Sequence, residues 1–583
     1  MTLSRGKKAA ITAAIMLVPA LFGGAGTSGK VAQRSHGNAG LRAGASGGSV
    51  PVWIFFHRDD RLGTSPPGRR PPQSRRSEER MRLRGASPAA SVARILPSRE
   101  QISSLNGLVL GIRHLSGYFH AVSADVMPER IDEILAVPRV SDVRRVRTFT
   151  VREPEIEAGP SRSDTRAHGP LEFGKYGGSF GQLALTGSVE LLEAGYNGSG
   201  ESGAGPQIMI GVLDSGYSLE HEAFSGLDVE IQYDFVGFDS VTSDEPEDYP
   251  GQDRHGTLVL GALAGYSEGD LIGPAWGARY ILAKTEIVGE ETRIEEDKWV
   301  AGLEWCDSIG ADVVTSSLGY VDWYAPDSLD GETALCTRAA DIAVSRGIVV
   351  CNAAGNYGYR GPTSIIAPAD GFGVIAVGGV YADGTLWSSS SRGPTADGRI
   401  KPDLVAQAVQ VHSVQYPGSG GYWTYSGTSF ASPLVAGLCA QLLEIHPEWS
   451  PMTLRDSLLT FATNSESPDN SMGYGIPRGL VTSGLVGPGE ERVVTFSCGY
   501  PNPFSESTAF DLYSSGWTRV SARVYDVAGR LVRELLDGEP LVLGGTLVWD
   551  GRNDEGRDLA SGVYFVEFVS PHARRTVKSV RIR

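Results

Sequence analysis

Between about residue 183 and residue 480, short apolar runs alternate with stretches of helical periodicity. The runs include Ile208 to Leu213, Tyr280 to Ala283, Val313 to Ser316, Ile348 to Cys351 and Val374 to Val377. Parallel strands cannot be joined by a tight hairpin and need a crossover, which a helix supplies. The alternation therefore predicts an α/β domain with a parallel sheet flanked by helices. No three-residue period organises the 75 glycines among the 583 residues, which excludes a collagen-like chain.

The flanks have a different texture. Val52-Trp53-Ile54-Phe55-Phe56 reads as a buried strand. The Arg/Pro-rich stretch 59–85 reads as a loop. Leu108-Val109-Leu110 and Tyr118 to Val122 read as strands around a turn at Ser116-Gly117. Pro128 to Val137 is helical, with Ile131, Ile134 and Leu135 on one face, and Val140 to Phe149 alternates as a half-buried strand does. These elements make a small α+β unit over 51–150, followed by a polar linker and processing region at 151–182. Beyond Gly487, short alternating strands separated by Gly529, Asp537-Gly538 and Asp550-Gly551 predict an all-β sandwich over 488–583.

Residues 1–25 have the form of a secretory signal: Arg5, Lys7 and Lys8, then an apolar run from Ala9 to Phe22, with cleavage expected near Ala25. A Gly/Ser/Ala-rich linker occupies 26–50. The expected location is secreted or cell-surface. Charge divides unevenly. Residues 1–152 carry 24 Lys and Arg against 10 Asp and Glu, net +14, while the remainder is net −30. An acidic bulk argues against nucleic acid as a partner. A basic front could dock on the acidic rest. The five cysteines, Cys306, Cys336, Cys351, Cys439 and Cys498, include no CxxC pair, so neither a zinc ribbon nor a disulfide framework is expected.

Three segments of the α/β region carry candidate chemistry. Ile210-Gly211-Val212-Leu213-Asp214-Ser215-Gly216 ends an apolar strand in a carboxylate. Asp253-Arg254-His255-Gly256-Thr257 opens a helix on an imidazole. Ser426-Gly427-Thr428-Ser429-Phe430-Ala431-Ser432-Pro433 places a serine before an apolar helix, with Pro433 expected in its first turn. Strand ends are where α/β sheets place their sites. In the order Asp, His, Ser, and in their flanking residues, these segments resemble the subtilases, the subtilisin-like serine proteases.

The resemblance implies a subtilisin-like fold and a secreted serine endopeptidase, made as a self-processed precursor. Ser429 would be the nucleophile, His255 its general base and Asp214 the residue orienting the imidazole. Val349-Val350-Cys351-Asn352-Ala353-Ala354-Gly355-Asn356 looks like the family strand that leads to the oxyanion asparagine. Asn356 and the Ser429 backbone N–H would form the oxyanion hole, with Asn352 the competing candidate. Ser317, Leu318 and Gly319 would line one wall of the substrate pocket and Ala353, Ala354 and Gly355 the other.

Residues 51–150 resemble subtilase prodomains, so the chain's own prodomain joins polypeptide substrates as an implied partner. The basic prodomain on an acidic catalytic domain would account for the charge division. Tyr500-Pro501-Asn502-Pro503-Phe504, Trp549-Asp550-Gly551-Arg552 and Leu559-Ala560-Ser561-Gly562-Val563-Tyr564 resemble immunoglobulin-like secretion-sorting modules, implying contact with secretion or cell-surface attachment machinery. No cofactor is required for the chemistry. Structural calcium is possible, with oxygen ligands from acidic loops at 239–253 and 322–332, and no metal residue is assigned. Gly177-Gly178-Ser179-Phe180-Gly181 satisfies GxSxG but has no apolar strand before it, so Ser179 reads as a loop residue. A catalytically silent relative acting as a binding protein is the alternative. The presence of Asp214, His255, Ser429 and Asn356 together weighs against it.

Overall fold

The computed structural model describes residues 48–57, 74–85, 95–146, 148–150, 176–203, 205–288, 293–320, 324–484, 494–496, 502–514, 518–541, 545–570 and 573–582. The expected signal and residues 26–47 of the first linker lie outside the described residues, as do Cys498 and most of 151–182, while Val50, expected in that linker, already belongs to the first strand. Two units emerge. One comprises residues up to Glu79, Pro88–Arg147 and Glu295–Gly310; the other comprises Arg80–Ser87, Thr148–Ile294 and Ala311–Arg583.

In the first unit, β1 (Val50–Phe56), β2 (Gly111–Ser116), β3 (Ala121–Val126) and β4 (Val140–Arg145) form an antiparallel sheet in the order β2-β3-β1-β4. Val52, Ile54 and Phe56 alternate onto one face and pack with Ile102, Leu105, Val122 and Ile134. The helix Arg99–Ser103 begins in a capping box, Ser98 and Gln101 each holding the other's backbone N–H. The helix Glu296–Ile309, distant in sequence, belongs to the same unit. Its Glu304 accepts from the Gly117 N–H at 2.9 Å and from the Ser116 hydroxyl. Its Asp297 pairs with Arg113 Nε at 3.0 Å and accepts from Ser123.

Three sequence expectations change. First, the strands around the turn at Ser116-Gly117 are Gly111–Ser116 and Ala121–Val126 rather than Leu108–Leu110 and Tyr118–Val122. Second, the run Val140 to Phe149 breaks after Arg145, and Thr148–Thr150 forms a separate two-stranded sheet with Arg293–Glu295. Third, the stretch read as a loop contains the helix Arg75–Leu83. In and just beyond that helix the buried side chains are Ser77, Arg80 and Arg84. That stripe keeps helical spacing but is polar, so hydrophobic periodicity could not report it.

In the second unit, β5 (Met209–Asp214), β6 (Asp228–Asp234), β7 (Arg279–Lys284), β8 (Val313–Ser316), β9 (Val349–Ala353), β10 (Ile375–Val380) and β11 (Leu404–Gln407) form the parallel sheet in the order β11-β10-β9-β8-β5-β7-β6. Its core joins Val212, Leu282, Val313 and Val377 to Leu258, Leu263, Leu434 and Leu438 from the helices. The helix Thr428–Ile445 is mostly apolar and 94% of it is buried, as a central helix must be. Cys351 and Cys439 meet in this core with their sulfurs 4.0 Å apart. Their mutual contact and burial push the Cys351 thiol well above its usual range.

The C-terminal region forms two antiparallel sheets. β12 (Val494–Phe496), β13 (Thr508–Ser514), β14 (Thr518–Asp526), β15 (Leu531–Leu541), β16 (Gly545–Trp549), β17 (Gly562–Val569) and β18 (Arg574–Arg581) pair in the orders β12-β13-β16 and β15-β14-β17-β18. Phe510, Trp549, Val566 and Phe568 are buried together in this region.

Candidate active site

Strands β5, β8 and β9 end at Asp214, Ser316 and Ala353 on one edge of the parallel sheet. The carboxylate of Asp214 is completely buried. Its Oδ1 accepts from the Ser215 N–H at 2.8 Å and meets His255 Nδ1 at 2.7 Å. That hydrogen bond gives Nδ1 the proton and leaves Nε2 as the ring's acceptor nitrogen. His255 is the second residue of the helix Arg254–Ala264. Gly256 lets the helix start this close to Asp214, because a Cβ there would lie 2.2 Å from Gly216 O and 3.0 Å from Asp214 Cβ.

Ser429 is the second residue of the helix Thr428–Ile445, which packs against the His255 helix. Pro433 stands sixth in that helix, not in its first turn as its sequence position suggested. Proline has no N–H, so the carbonyl four residues back is released. That carbonyl belongs to Ser429, and Ser317 Oγ donates to it at 2.7 Å. The Ser429 hydroxyl makes a long 3.4 Å contact with Ser317 O. The end of β8 is thereby tied to the serine from both sides.

Asn356 is oriented by its neighbour. Its Oδ1 accepts from the backbone N–H and the hydroxyl of Thr428, each at 2.9 Å, so the amide nitrogen faces away from Thr428. A Cβ on Gly427 would sit 3.6 Å from Asn356 Nδ2 and 3.7 Å from Ser429 N. Two N–H donors thus flank one small space that glycine leaves open, at the N-terminus of a long helix. Asn352 lies elsewhere. It is wholly buried in β9 and donates to Leu318 O at 3.0 Å.

Ser317, Leu318, Ala353 and Ala354 are buried beside these groups. Gly319 and Gly355 both face Ile366: a Cβ on Gly319 would come within 2.2 Å of Ile366 Cδ1, and one on Gly355 within 2.9 Å of Ile366 Cγ2. Ser179 caps a loop, donating to Tyr176 O at 2.7 Å and accepting from Ile272 N at 2.9 Å.

Sequence reasoning missed three residues around this site. Ile366 gave no pattern signal. Gln252 is buried and donates from Nε2 to Ser215 O at 2.7 Å and to Glu286 O at 2.5 Å, while its Oε1 accepts from Val288 N at 2.8 Å. It ties the turns after β5 and β7 to the start of the His255 helix. Glu286 is itself buried two residues beyond Lys284, the register partner of Asp214. Burial first, and then the charge on Asp214, push its carboxyl well above the usual range.

The acidic loop 239–253 brings ligand atoms of Asp239 and Glu245 near Asp234, all within 4.8 Å of one another. A protein cation is already present there: Lys284 Nζ lies 2.8 Å from Asp234 Oδ2 and 2.6 Å from Asp248 Oδ2.

Known proteins share this constellation's surroundings. The sequence model of the Subtilase family (Peptidase_S8) matches residues 205–475. Subtilisin E of Bacillus subtilis (strain 168) is 35% identical over 294 residues, which is 50% of this chain and 66% of that protein, just under two thirds of its length. The subtilisin of Bacillus pumilus is 35% identical over 276 residues, 47% of this chain and 87% of that protein. Among solved structures, the Clostridium perfringens CspB protease aligns with 18% identity and a TM-score of 0.43, covering 52% of this chain and 97% of its own.

Proposed function

The chain belongs to the subtilase family, and from that premise we propose that it is a secreted serine endopeptidase, made as a precursor that processes itself. The single observation that carries the reading is the 2.7 Å bond between buried Asp214 and His255 Nδ1. A buried carboxylate stabilises the imidazolium that forms when Nε2 takes a proton.

In the proposed reaction, Ser429 Oγ attacks the scissile carbonyl carbon and its proton passes to His255 Nε2. The carbonyl oxygen becomes an oxyanion, held by the Asn356 amide and the Ser429 N–H. Collapse breaks the C–N bond, and His255 returns the proton to the departing amine. Water then repeats the sequence on the acyl-serine and restores the hydroxyl. Donors fixed in advance toward developing charge lower the barrier without reorganising during the reaction. Ile366 packs against both glycines of the pocket walls, which supports the reading that the pocket favours a small side chain before the scissile bond. Peptides varied at that position read this preference.

The domain reading supports precursor processing: residues 51–150 form a prodomain, and the cut falls in 151–175. Thr148–Thr150, which precede the cut in sequence, pair as a strand with Arg293–Glu295, and this supports the reading that the chain before the cut is held in extended form. The sandwich from 488 onward is a sorting or attachment module, and the basic, then apolar, N-terminus is its export signal.

Fluorophosphonate labelling of the purified full chain beside Ser429→Ala tests the assignment. Wild type should take the label and lose its first ~150 residues in self-processing. Ser429→Ala should do neither. Equal labelling of both would end this reading.

A further inference from the structure

The segment Arg80–Ser87 is flanked in sequence by residues of the four-stranded unit, yet it groups with the seven-stranded sheet. Two arginines carry it there. Arg80 donates from Nη1 to Ala311 O at 2.6 Å and from Nε to Arg346 O at 3.3 Å. Arg84 donates to Gly347 O at 2.8 Å, to Asp312 O at 3.3 Å, to Pro447 O at 3.3 Å and to Asp312 Oδ1 at 3.0 Å. Both side chains are buried.

The acceptors have a common origin. Arg346 and Gly347 follow the C-terminus of the helix Leu335–Ser345, and Pro447 follows that of Thr428–Ile445. Helix C-termini present unsatisfied carbonyls and the negative end of the dipole. Asp312 immediately precedes β8 and its second oxygen accepts from Met209 N at 3.0 Å. The result is a socket lined by acceptors that takes two guanidiniums at helical spacing. A planar fork satisfies several carbonyls at once, which an ammonium cannot do. The nine-residue helix Arg75–Leu83 is too short to persist alone and buries no apolar stripe, so polar contacts must hold it: Ser74 N donates to Ser308 O at 2.8 Å and Arg76 Nε to Gly310 O at 3.2 Å at its start, and this socket takes its second half.

We infer that the socket is a second anchor, remote from the substrate cleft, that keeps the front part of the precursor on the peptidase unit after the chain is cut in 151–175. Release of the front part waits on withdrawal of Arg80 and Arg84. The socket lies at the entry of β8, whereas Asp214 and Ser317 lie at strand exits. The inference rests on the proposed processing, so its test supplies the cut from outside. The rival explanation is diffuse attraction between a front of net +14 and a remainder of net −30.

The test uses the full Ser429→Ala chain, with a site-specific protease's recognition sequence replacing residues 160–166. After cutting, dissociation of the front part is followed by size exclusion and fluorescence anisotropy. The unsubstituted front part should stay bound. Arg80→Ala with Arg84→Ala should weaken retention about 100-fold or more, as truncating one side of buried charge-assisted pairs does. Arg75→Ala with Arg82→Ala removes the same charge from exposed positions of the same helix and should change it less than about threefold. Equal losses in the two double variants, or none in the first, would overturn the anchor and favour diffuse attraction. Thermal melting of the uncut chains establishes folding. Should the first double variant not fold, Arg84→Gln replaces it, with about tenfold weakening expected and no weakening overturning the anchor. A wild-type chain that never cuts itself refutes the processing step, while the socket's affinity is still measured.

Discussion

The two ends of β5 hold buried carboxylates in closely similar settings and put them to different uses. At its entry, Met209 N donates to Asp312 Oδ2 at 3.0 Å, and Asp312 Oδ1 meets Arg84 at 3.0 Å. At its exit, Asp214 Oδ1 accepts from Ser215 N at 2.8 Å and meets His255 at 2.7 Å. Each carboxylate accepts from a backbone N–H and meets a cationic or protonatable side chain. The difference is the partner. Guanidinium never loses its proton in water, so the entry pair can only hold. Imidazole changes charge near neutrality, so the exit pair can work through a cycle. Burial of a carboxylate is thus no mark of catalysis by itself; the titratability of what it touches decides.

Substitution of each carboxylate should separate the two ends. Asp214→Asn should lower kcat/KM by about 10⁴, the scale seen when the triad acid loses its charge and the imidazole its tautomer. Asp312→Asn should leave kcat/KM within about threefold while lowering the melting temperature. Steady-state kinetics on a chromogenic peptide, with melting curves for each protein, checks both. Similar kinetic losses at the two positions would dissolve the distinction.

At the exit end, the oxyanion donors should account for the next largest effect. Asn356→Ala removes one of two N–H groups and should cost about 10²–10³ in kcat with little change in KM. A rise in KM at constant kcat would mean that Asn356 binds ground-state substrate instead. At the entry end, Arg84→Ala strands a carboxylate whose side chain is 8% exposed and should cost about 3–5 kcal/mol at neutral pH. Arg84→Ala with Asp312→Asn should recover much of that loss, because no charge is then left buried alone. Denaturant unfolding of the Ser429→Ala chain measures both.

How much of this was readable beforehand follows the same physical line. Strand β8 matches its run residue for residue, because Val313 to Ser316 is buried throughout and Val313-Val314 set a β-branched signal that the small Thr315 and Ser316 do not interrupt. The helices of His255 and Ser429 were legible from glycine-rich starts followed by apolar residues. The helix Arg75–Leu83 was not, since its buried side chains are Ser77 and Arg80, with Arg84 just beyond, and arginine reads as surface. Gln252 and Ile366 escaped for a related reason. Their roles arise where turns from separate strands meet, and no local period encodes such a meeting. The break after Arg145 was hidden because apolar residues keep recurring among basic ones across it, although Val140, Val143, Val146 and Phe149 stand three apart and not two.

A smaller effect tests the electrostatics beside Asp214. Burial and the neighbouring charge of Asp214 raise the Glu286 carboxyl well above the usual carboxylate range. The folded chain therefore keeps that proton to higher pH than the unfolded chain does. Such a group favours folding fully below its unfolded pKa, and the contribution is lost as pH rises through the folded pKa. Glu286→Gln keeps the shape and cannot ionise. Relative to wild type in the Ser429→Ala background, it should melt a few degrees higher at pH 8 and show no gain at pH 4, where both side chains are neutral. Melting curves across that range decide the matter. An equal shift at both ends would assign the change to packing. A gain confined to the alkaline side would mean that Glu286 is held beside Asp214 at a cost in stability.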